Sequence, residues 1–230
     1  MYRLVKSCDD VNFATSTIWN KKLTEGQFLE DSGRKPGYQF VSEASDLSRI
    51  KDGTYDFVLS SHVLEHLANP IKALLEWKRV LKERGILLLV VPHKQGTFDD
   101  RRQVTGLPHL ISDYEKSTPE SDLSALPSVL RYHNLALDPA GTRVSLPKLF
   151  ANNIKYRAMH HHVFVTSSVI QIADYVNLKV LFVGTFLPYH IVVVGQKTDD
   201  QYAVHRSNLS LLAKGASWRR LSPFRIDCIV

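Results

Sequence analysis

Two apolar runs separated by a more polar segment predict the central part of the fold. Tyr55 to Ser60 is apolar around a single aspartate, and Ile86 to Val91 is a second run that ends at Pro92. Apolar runs of this length are typical of strands in a parallel sheet that is covered on both faces. We therefore predict that the two segments are neighbouring buried strands.

The segment between these strands has the signals of a helix. Asn69-Pro70 predicts its start, because Asn can accept bonds from free amides and Pro suits the first helical position. Gly85 is expected to end it. Apolar residues recur at helical spacing along it, namely Ala73, Leu74, Trp77, Val80 and Leu81. A strand, a helix and a strand with short links predict a right-handed crossover in a parallel sheet.

The remaining chain has weaker patterns. Segment 1–37 is polar and is expected to be irregular, whereas Tyr38 to Val41 predicts a short strand. Val163 to Tyr175 has helical spacing, and the apolar runs Lys179–Val183 and His190–Val194 predict two closing strands.

We divide the chain into one domain over residues 1–197 and a basic extension over 198–230. Within the domain, residues 93–160 are rich in His, Asp, Arg and Pro, and we expect them to form an insertion of short helices and loops that caps the acceptor side. The extension carries Arg206, Lys214, Arg219, Arg220 and Arg225 against Asp227. We expect it to be solvated and loosely attached.

Composition limits the classes of partner. The 29 Lys and Arg residues exceed the 23 Asp and Glu residues by only six, which suits an ordinary solvated surface as well as an anionic ligand. Nucleic acid is not an expected partner, because no motif of a known binding module is present. The apolar runs are far shorter than the roughly 20 residues of a membrane span. With two distant cysteines and no signal peptide, we expect a cytoplasmic protein without a membrane partner.

The order of motifs from Tyr55 to Pro92 carries a family resemblance. The stretches YDFVLSSHVLEHL, NP, ALLEWKRVLKERG and ILLLVVP follow one another. They resemble the fourth and fifth strands, and the helix between them, of class I S-adenosylmethionine-dependent methyltransferases of the type 11-like kind. The resemblance implies an α/β, Rossmann-like, mostly parallel sheet with helices on both faces, and S-adenosylmethionine as the cofactor.

The same resemblance implies a set of cofactor-binding residues. Glu43-Ala-Ser-Asp-Leu47 is similar to the acidic loop that holds the adenine ring, where a carboxylate accepts the exocyclic amino protons. Glu43 matches the adenine-facing acid, with Asp46 as the second choice. Asp9 or Asp10 matches the acid that holds the ribose. The implied cofactor site consists of Asp9, Glu43, Ala44, Asp46, Ser60 and Ser61.

One expected element of that family is missing from the sequence. Its fold normally opens with a strand that ends in a glycine-rich turn beside the cofactor. Here Gly26, Gly33 and Gly37 are scattered, and none follows an apolar strand. The resemblance therefore implies an N-terminally incomplete sheet with two unpaired strand edges. The alternatives are a longer polypeptide, a rearranged start, a partner chain or dimer that covers the gap, or a remnant that binds little.

Histidines follow both central strands and suggest the catalytic chemistry. Methyl transfer requires the acceptor to be aligned with the donor and to lose its proton if it has one. His62 and His66 follow the first strand and His93 follows the second, at the ends where open α/β sheets bind ligands. We predict these three as catalytic residues, and the alternative for each is a structural hydrogen-bonding role. Glu65 is expected to orient a neighbour.

The resemblance extends into the insertion through Thr97 to Thr105, His109 to Tyr114 and Arg157 to Phe164, so that it covers about residues 9–197. We predict an acceptor pocket there without a metal ion, formed by Asp99, Arg102, His109, His160 and His162. Imidazoles and carboxylates are also metal ligands, but the spacing of His109 and Asp113 equally allows a hydrogen bond along a helix.

Three functions are consistent with these residues. The first is S-adenosylmethionine-dependent methyl transfer to a small polar or glycan-like acceptor. The second is a methyltransferase-like binding or interaction module that has lost cofactor binding. The third, a metal-dependent hydrolase built on the His and Asp residues of the insertion, has the least support from the sequence.

Overall fold

A computed structural model describes residues 5–17, 22–28, 37–138 and 146–229; Gly33 lies outside these ranges. The strands are β1 (Asp10–Asn12), β2 (Gly26–Phe28), β3 (Gly37–Val41), β4 (Tyr55–Ser61), β5 (Leu81–Pro92), β6 (Leu178–Phe186) and β7 (His190–Lys197). The helices are α1 (Pro70–Val80), α2 (Leu107–Glu115), α3 (Leu126–Tyr132), α4 (Leu146–Ala151), α5 (Asn153–Tyr156), α6 (Thr166–Tyr175), α7 (Gln201–Leu212), α8 (Ser217–Leu221) and α9 (Arg225–Cys228). This architecture confirms the predicted α/β class.

Four strands form one sheet in the order β4-β5-β7-β6. β4 and β5 are parallel neighbours, with Val58 opposite Leu87 and Ser60 opposite Leu89, which confirms the predicted pair. β7 runs antiparallel to both β5 and β6, so that β4, β5 and β6 share one direction. The carboxyl end of β4 therefore lies at the same edge of the sheet as the carboxyl end of β5.

Helix α1 begins where the sequence indicates and ends earlier than expected. The Asn69 side chain accepts a hydrogen bond from the Lys72 amide at 3.0 Å, which confirms the cap. The helix ends at Val80 because Leu81 already pairs with Tyr55, and the strand then bulges before Ile86 pairs with Phe57. Gly85 serves this bulge rather than the helix end, since a Cβ there would lie 2.7 Å from the Lys82 carbonyl oxygen.

The other described strands form a separate three-stranded sheet in the order β1-β3-β2. The expectation of an irregular segment 1–37 is thus wrong at β1 and β2, which have three residues each and are too short to show a period. Within the described residues, neither β1 nor β4 pairs with a strand on its second edge. Asp9 connects the two sheets, because it accepts bonds from the Tyr38 amide at 2.8 Å and the Tyr55 hydroxyl at 2.7 Å.

Strand β4 is less buried than the sequence predicts. Leu59 is 43% exposed, and Val11 on β1 is 38% exposed. β5, which has a neighbour on each side, buries Leu87, Leu89 and Val91 almost completely. The prediction that β4 is covered on both faces is therefore wrong, because only Ser60 of its seven residues is buried.

The C-terminal extension packs against the sheet. Asn208 on α7 is fully buried and bonds to the backbone of β6, accepting from the Val180 amide and donating to the Leu178 carbonyl, each at 3.0 Å. Trp218 and Phe224 are each 4% exposed. The expectation of a loosely attached extension is thus wrong, since its buried residues are scattered among basic ones and form a face only after folding.

Residues 93–160 contain helices α2 to α5. Val129, Phe150 and Met159 form a small apolar cluster of their own beside the main core. Among the residues that the structure describes, no helix is both long enough and apolar enough to cross a membrane.

Candidate active site

A cavity of about 330 Å³ lies at the carboxyl ends of β1, β3 and β4. Its volume is at the lower end of the range of small-molecule pockets. Residues that directly follow these three strands form most of its wall, and one side chain comes from the insertion. The polar and aromatic lining consists of Asn12, Phe13, Thr17, Ser42, Glu43, Ser61, His62, His66 and Arg157.

The structure brings three of the predicted cofactor residues to this cavity. Glu43, Ala44 and Ser61 line it. Asp46 lies outside, where its carboxylate accepts a bond from the Ser48 amide at 3.2 Å, and hydrogen bonds from Ser48 lower its pKa. Asp9 also lies outside the lining, in its position between the two sheets.

Ser60 does not line the cavity either. It is 5% exposed, and its Oγ has no hydrogen-bond partner among the described residues. Successive side chains of a strand point to opposite faces, so Ser60 and Ser61 cannot both face the same space.

Arg157 lies between two carboxylates at the rim of the cavity. It donates to Glu43 and, at 2.5 Å, to Glu120, and its guanidinium lies 5.2 Å from the centre of the Phe13 ring. Burial raises the pKa of Glu43 despite Arg157, and the charge of Glu120 adds to the rise. The sequence placed Arg157 in the insertion motif but did not predict it at the cofactor side, because 114 residues separate it from Glu43.

Of the predicted catalytic histidines, His62 and His66 line the cavity. His62 has a left-handed backbone with φ 53°, and its Nε2 lies 3.0 Å from Nδ1 of His190. His66 Nδ1 lies 3.2 Å from the Met159 carbonyl oxygen. Burial lowers the pKa of His66 to about 4, so this ring is neutral at pH 7. His62 is the more exposed of the two rings.

His93 lies away from the cavity. It is fully buried, its ring stacks on Phe224 at 3.9 Å, and its Nε2 lies 3.5 Å from Asp227. Its position at the end of β5 suggested a place at the rim of the site. The C-terminal helices cover that position, so His93 connects β5 to the extension.

Three of the predicted substrate residues form a buried network behind His66. Arg102 donates to Asp99 at 2.8 Å and to the His160 carbonyl at 2.9 Å. His160 Nδ1 lies 2.5 Å from Asp99 Oδ2, and its ring contacts the His66 ring edge-on at 4.6 Å. Burial alone would lower the pKa of His160, but Asp99 raises it. None of the three residues lines the cavity.

The other two predicted substrate residues meet at Asp113, also away from the cavity. His109 on α2 is exposed and lies 3.3 Å from Asp113 Oδ2, which is one helical turn away. His162 is buried and lies 3.8 Å from the same oxygen. Burial lowers the pKa of His162 to about 3.

Parallel strands whose carboxyl ends open on a cavity define the class of α/β proteins that bind ligands at the sheet edge. Comparison with known families matches residues 12–89 to the family described as "Methyltransferase domain". The matched segment extends from the end of β1 into β5 and includes most of the cavity wall. Residues 12–89 are thus similar to a methyltransferase domain.

Individual relatives match parts of the chain. It is 37% identical over 91 residues to an uncharacterised protein of Methanocaldococcus jannaschii, which covers 36% of this chain and 40% of that protein. A SAM-dependent methyltransferase structure from Aquifex aeolicus matches with a TM-score of 0.39 and 16% identity, over 73% of this chain and 58% of that one. One from Methanosarcina mazei matches with a TM-score of 0.41 and 17% identity, over 72% and 68%. The match to the curated relative thus spans only 40% of its length.

Proposed function

We propose that this chain transfers a methyl group from S-adenosylmethionine to a small polar acceptor, such as a glycan-like hydroxyl. The observation that carries the proposal is the cavity at the ends of β3 and β4. Its walls include Glu43 and the Ser61-His62 pair, which lie inside the segment that matches the methyltransferase family.

The cavity has groups that suit the nucleoside end of this cofactor. The carboxylate of Glu43 offers more acceptor positions than Arg157 occupies, so it can still accept from an exocyclic amino group. Ala44 is held in place because its carbonyl accepts from the Trp77 indole at 2.8 Å. Trp77 itself is buried in the core, so the adenine-side loop is fixed to helix α1.

Glu43, Ala44 and Ser61 would hold S-adenosylmethionine, which would supply a methyl group for in-line attack by the acceptor oxygen, with S-adenosylhomocysteine as the leaving group. In this proposal His62, the more exposed of the two histidines on the cavity wall, takes the proton of the acceptor at Nε2. The acceptor hydroxyl then replaces the 3.0 Å contact of this nitrogen with His190 Nδ1. Glu65 Oε1 lies 3.5 Å from His62 Nδ1 and would stabilise the imidazolium that forms. In this proposal Glu65 therefore orients His62.

Calorimetry with S-adenosylmethionine and S-adenosylhomocysteine tests the proposal. We expect both to bind, and Glu43→Gln to weaken each about 10-fold or more, since it removes a charge-assisted hydrogen bond. Asp46→Asn is the matched control, because Asp46 is an acid of the same loop that lies outside the cavity. Absence of heat with the wild-type chain would contradict the proposal.

The second candidate function is a methyltransferase-like binding module without turnover. The ion pair between Arg157 and Glu43 favours it, because that pair occupies the acid that would face adenine. Under this alternative neither cofactor form gives heat, and Arg157→Met does not restore binding.

A partner strand is the second part of the proposal. A second copy of the chain covers the space between β1 and β4, where exposed Val11 and Leu59 flank two edges without a strand neighbour among the described residues. Light scattering should then show a dimer that Leu59→Lys weakens. A monomer at all concentrations would contradict this part.

The cytoplasm is the proposed compartment.

A further inference from the structure

Three ligand-type side chains converge behind the cavity wall. Glu65, His66 and His160 each offer one atom that lies within 4.8 Å of the other two. Glu65 is 1% exposed, and its Oε2 has no hydrogen-bond partner among the described residues. A buried carboxylate oxygen without a partner is costly, so this atom indicates a missing positive group or donor.

Both histidines are held by a hydrogen bond at Nδ1. His66 uses Nδ1 towards the Met159 carbonyl at 3.2 Å, and its Nε2 lies 3.9 Å from Glu65 Oε1. His160 uses Nδ1 towards the Asp99 carboxylate at 2.5 Å. Rings that donate Nδ1–H in this way hold the tautomer whose Nε2 has a lone pair, which is the usual arrangement of metal-binding histidines.

We propose that Glu65, His66 and His160 bind one divalent transition-metal ion, with Zn²⁺ as the best match. Two imidazoles and one carboxylate are a common ligand set for Zn²⁺ that keeps an open position. His66 also lines the cavity, so a metal ion held by these three residues would lie directly behind the cavity wall. This site differs from the acceptor pocket without metal that the sequence suggested.

The second convergence of such side chains has a weaker case. His109, Asp113 and His162 also have ligand atoms within 4.8 Å of one another. His109 is exposed, however, and His162 Nε2 already lies 3.3 Å from the Ala68 carbonyl oxygen. It is a useful internal comparison for the experiment.

The Glu65 oxygen without a hydrogen-bond partner also has an explanation that requires no metal ion. His160 has a raised pKa beside Asp99, and a protonated His160 could balance the charge of Glu65 through the network alone. Burial would raise the pKa of Glu65, but His62, His66 and His160 together lower it. Metal binding must therefore be measured directly.

The experiment titrates the chelator-treated chain of residues 1–230 with ZnCl₂ alone in a calorimeter, and with Co²⁺ by visible absorbance. We expect one ion per chain. Glu65→Gln and His160→Asn should weaken binding by about 100-fold or more, since each removes a ligand. Asp99→Asn should weaken it about 10- to 100-fold, because Asp99 orients His160.

Two further variants define the location. His205→Gln is the matched control, because His205 forms an exposed pair with Asp174 at 2.8 Å and should leave the affinity unchanged. Asp113→Asn reports on the second cluster and should also leave it unchanged. Circular dichroism checks that each variant is folded, and Asp99→Asn provides the test if Glu65→Gln is not.

Failure of the wild-type chain to bind either ion would overturn the proposal. The proposal would also be overturned if Asp113→Asn abolished metal binding while Asp99→Asn and Glu65→Gln retained it. Because the probe is the metal ion alone, the result is independent of whether the chain binds S-adenosylmethionine or transfers a methyl group.

Discussion

Asp99 Oδ2 and His160 Nδ1 lie 2.5 Å apart in the interior, although 61 residues separate them in the chain. Arg102 holds the other oxygen of Asp99 at 2.8 Å. The carboxylate thus fixes one nitrogen of the His160 ring, and the ring packs edge-on against His66 on the cavity wall. A carboxylate of the insertion is thus linked through His160 to a side chain on the cavity wall.

The first prediction concerns the stability that Asp99 provides. Asp99→Ala leaves Arg102, which is 4% exposed, without its carboxylate. We expect a loss of about 3 kcal/mol in the free energy of unfolding, because breaking a buried ion pair leaves an uncompensated charge. Urea denaturation measures it. Asp174→Ala removes the carboxylate from an exposed pair with His205 and should cost below about 1 kcal/mol. Similar losses in both variants would contradict the interpretation.

The second prediction concerns the stability of the fold at acidic pH. Burial lowers the pKa of His66 and His161 to about 4 and that of His162 to about 3. The unfolded chain therefore binds more protons than the native chain below about pH 6.5, and stability falls as the pH decreases from there towards 4. Each such histidine contributes at most about 1.4 kcal/mol per pH unit.

Other groups also affect this pH dependence. His160 works in the opposite direction, because its raised pKa gives stability at low pH that is lost as the pH rises. Glu43, Glu120 and Asp113, whose pKa burial raises, also oppose the histidines, whereas His190, whose pKa burial lowers, adds to them. The large pKa shifts of His66, His161 and His162 set the net direction. Urea denaturation at pH 7, 6 and 5 should therefore show decreasing stability, and the slope should be smaller in His162→Asn. A stability that is constant or rises towards pH 5 would contradict the prediction.

The third prediction concerns Arg157, whose guanidinium lies between the carboxylates of Glu43 and Glu120. Arg157→Met leaves Glu43 and Glu120 facing each other without the guanidinium, and burial already raises the pKa of both. The variant should lose more stability at pH 7 than at pH 5, because both carboxyls become neutral more readily as the pH falls. Lys155→Met, two residues earlier and close to Tyr156, is the control. An equal loss at both pH values would show that Arg157 acts through packing.

The fourth prediction tests the attachment of the C-terminal helices. Asn208→Ala removes the partners of the Val180 amide and the Leu178 carbonyl. We expect a loss of about 2 kcal/mol, because two buried backbone groups lose their hydrogen bonds. Ser210→Ala, on the exposed face of the same helix, should change the stability by less than about 0.5 kcal/mol. A separate early unfolding transition of the extension would contradict its place in the main core.

The sequence by itself determined the segment from β4 through α1 to β5. The apolar runs, the Asn69 cap and the buried positions of α1 are signals between residues that are near in the chain, so local pattern is sufficient to find them. The end of α1 was the exception. The pairing of Leu81 with Tyr55 sets it, and that contact depends on the sheet.

Only the tertiary structure decided which polar side chains meet. In the folded chain Glu43 pairs with Arg157, and His66 contacts His160. His93 is covered by Phe224, and Asp9 and Asp46 lie outside the cavity lining. These contacts join residues that are far apart in the chain, where no periodicity relates one to the other. Their geometry follows from how the insertion and the C-terminal helices pack on the sheet, and this packing is a property of whole surfaces rather than of any single segment.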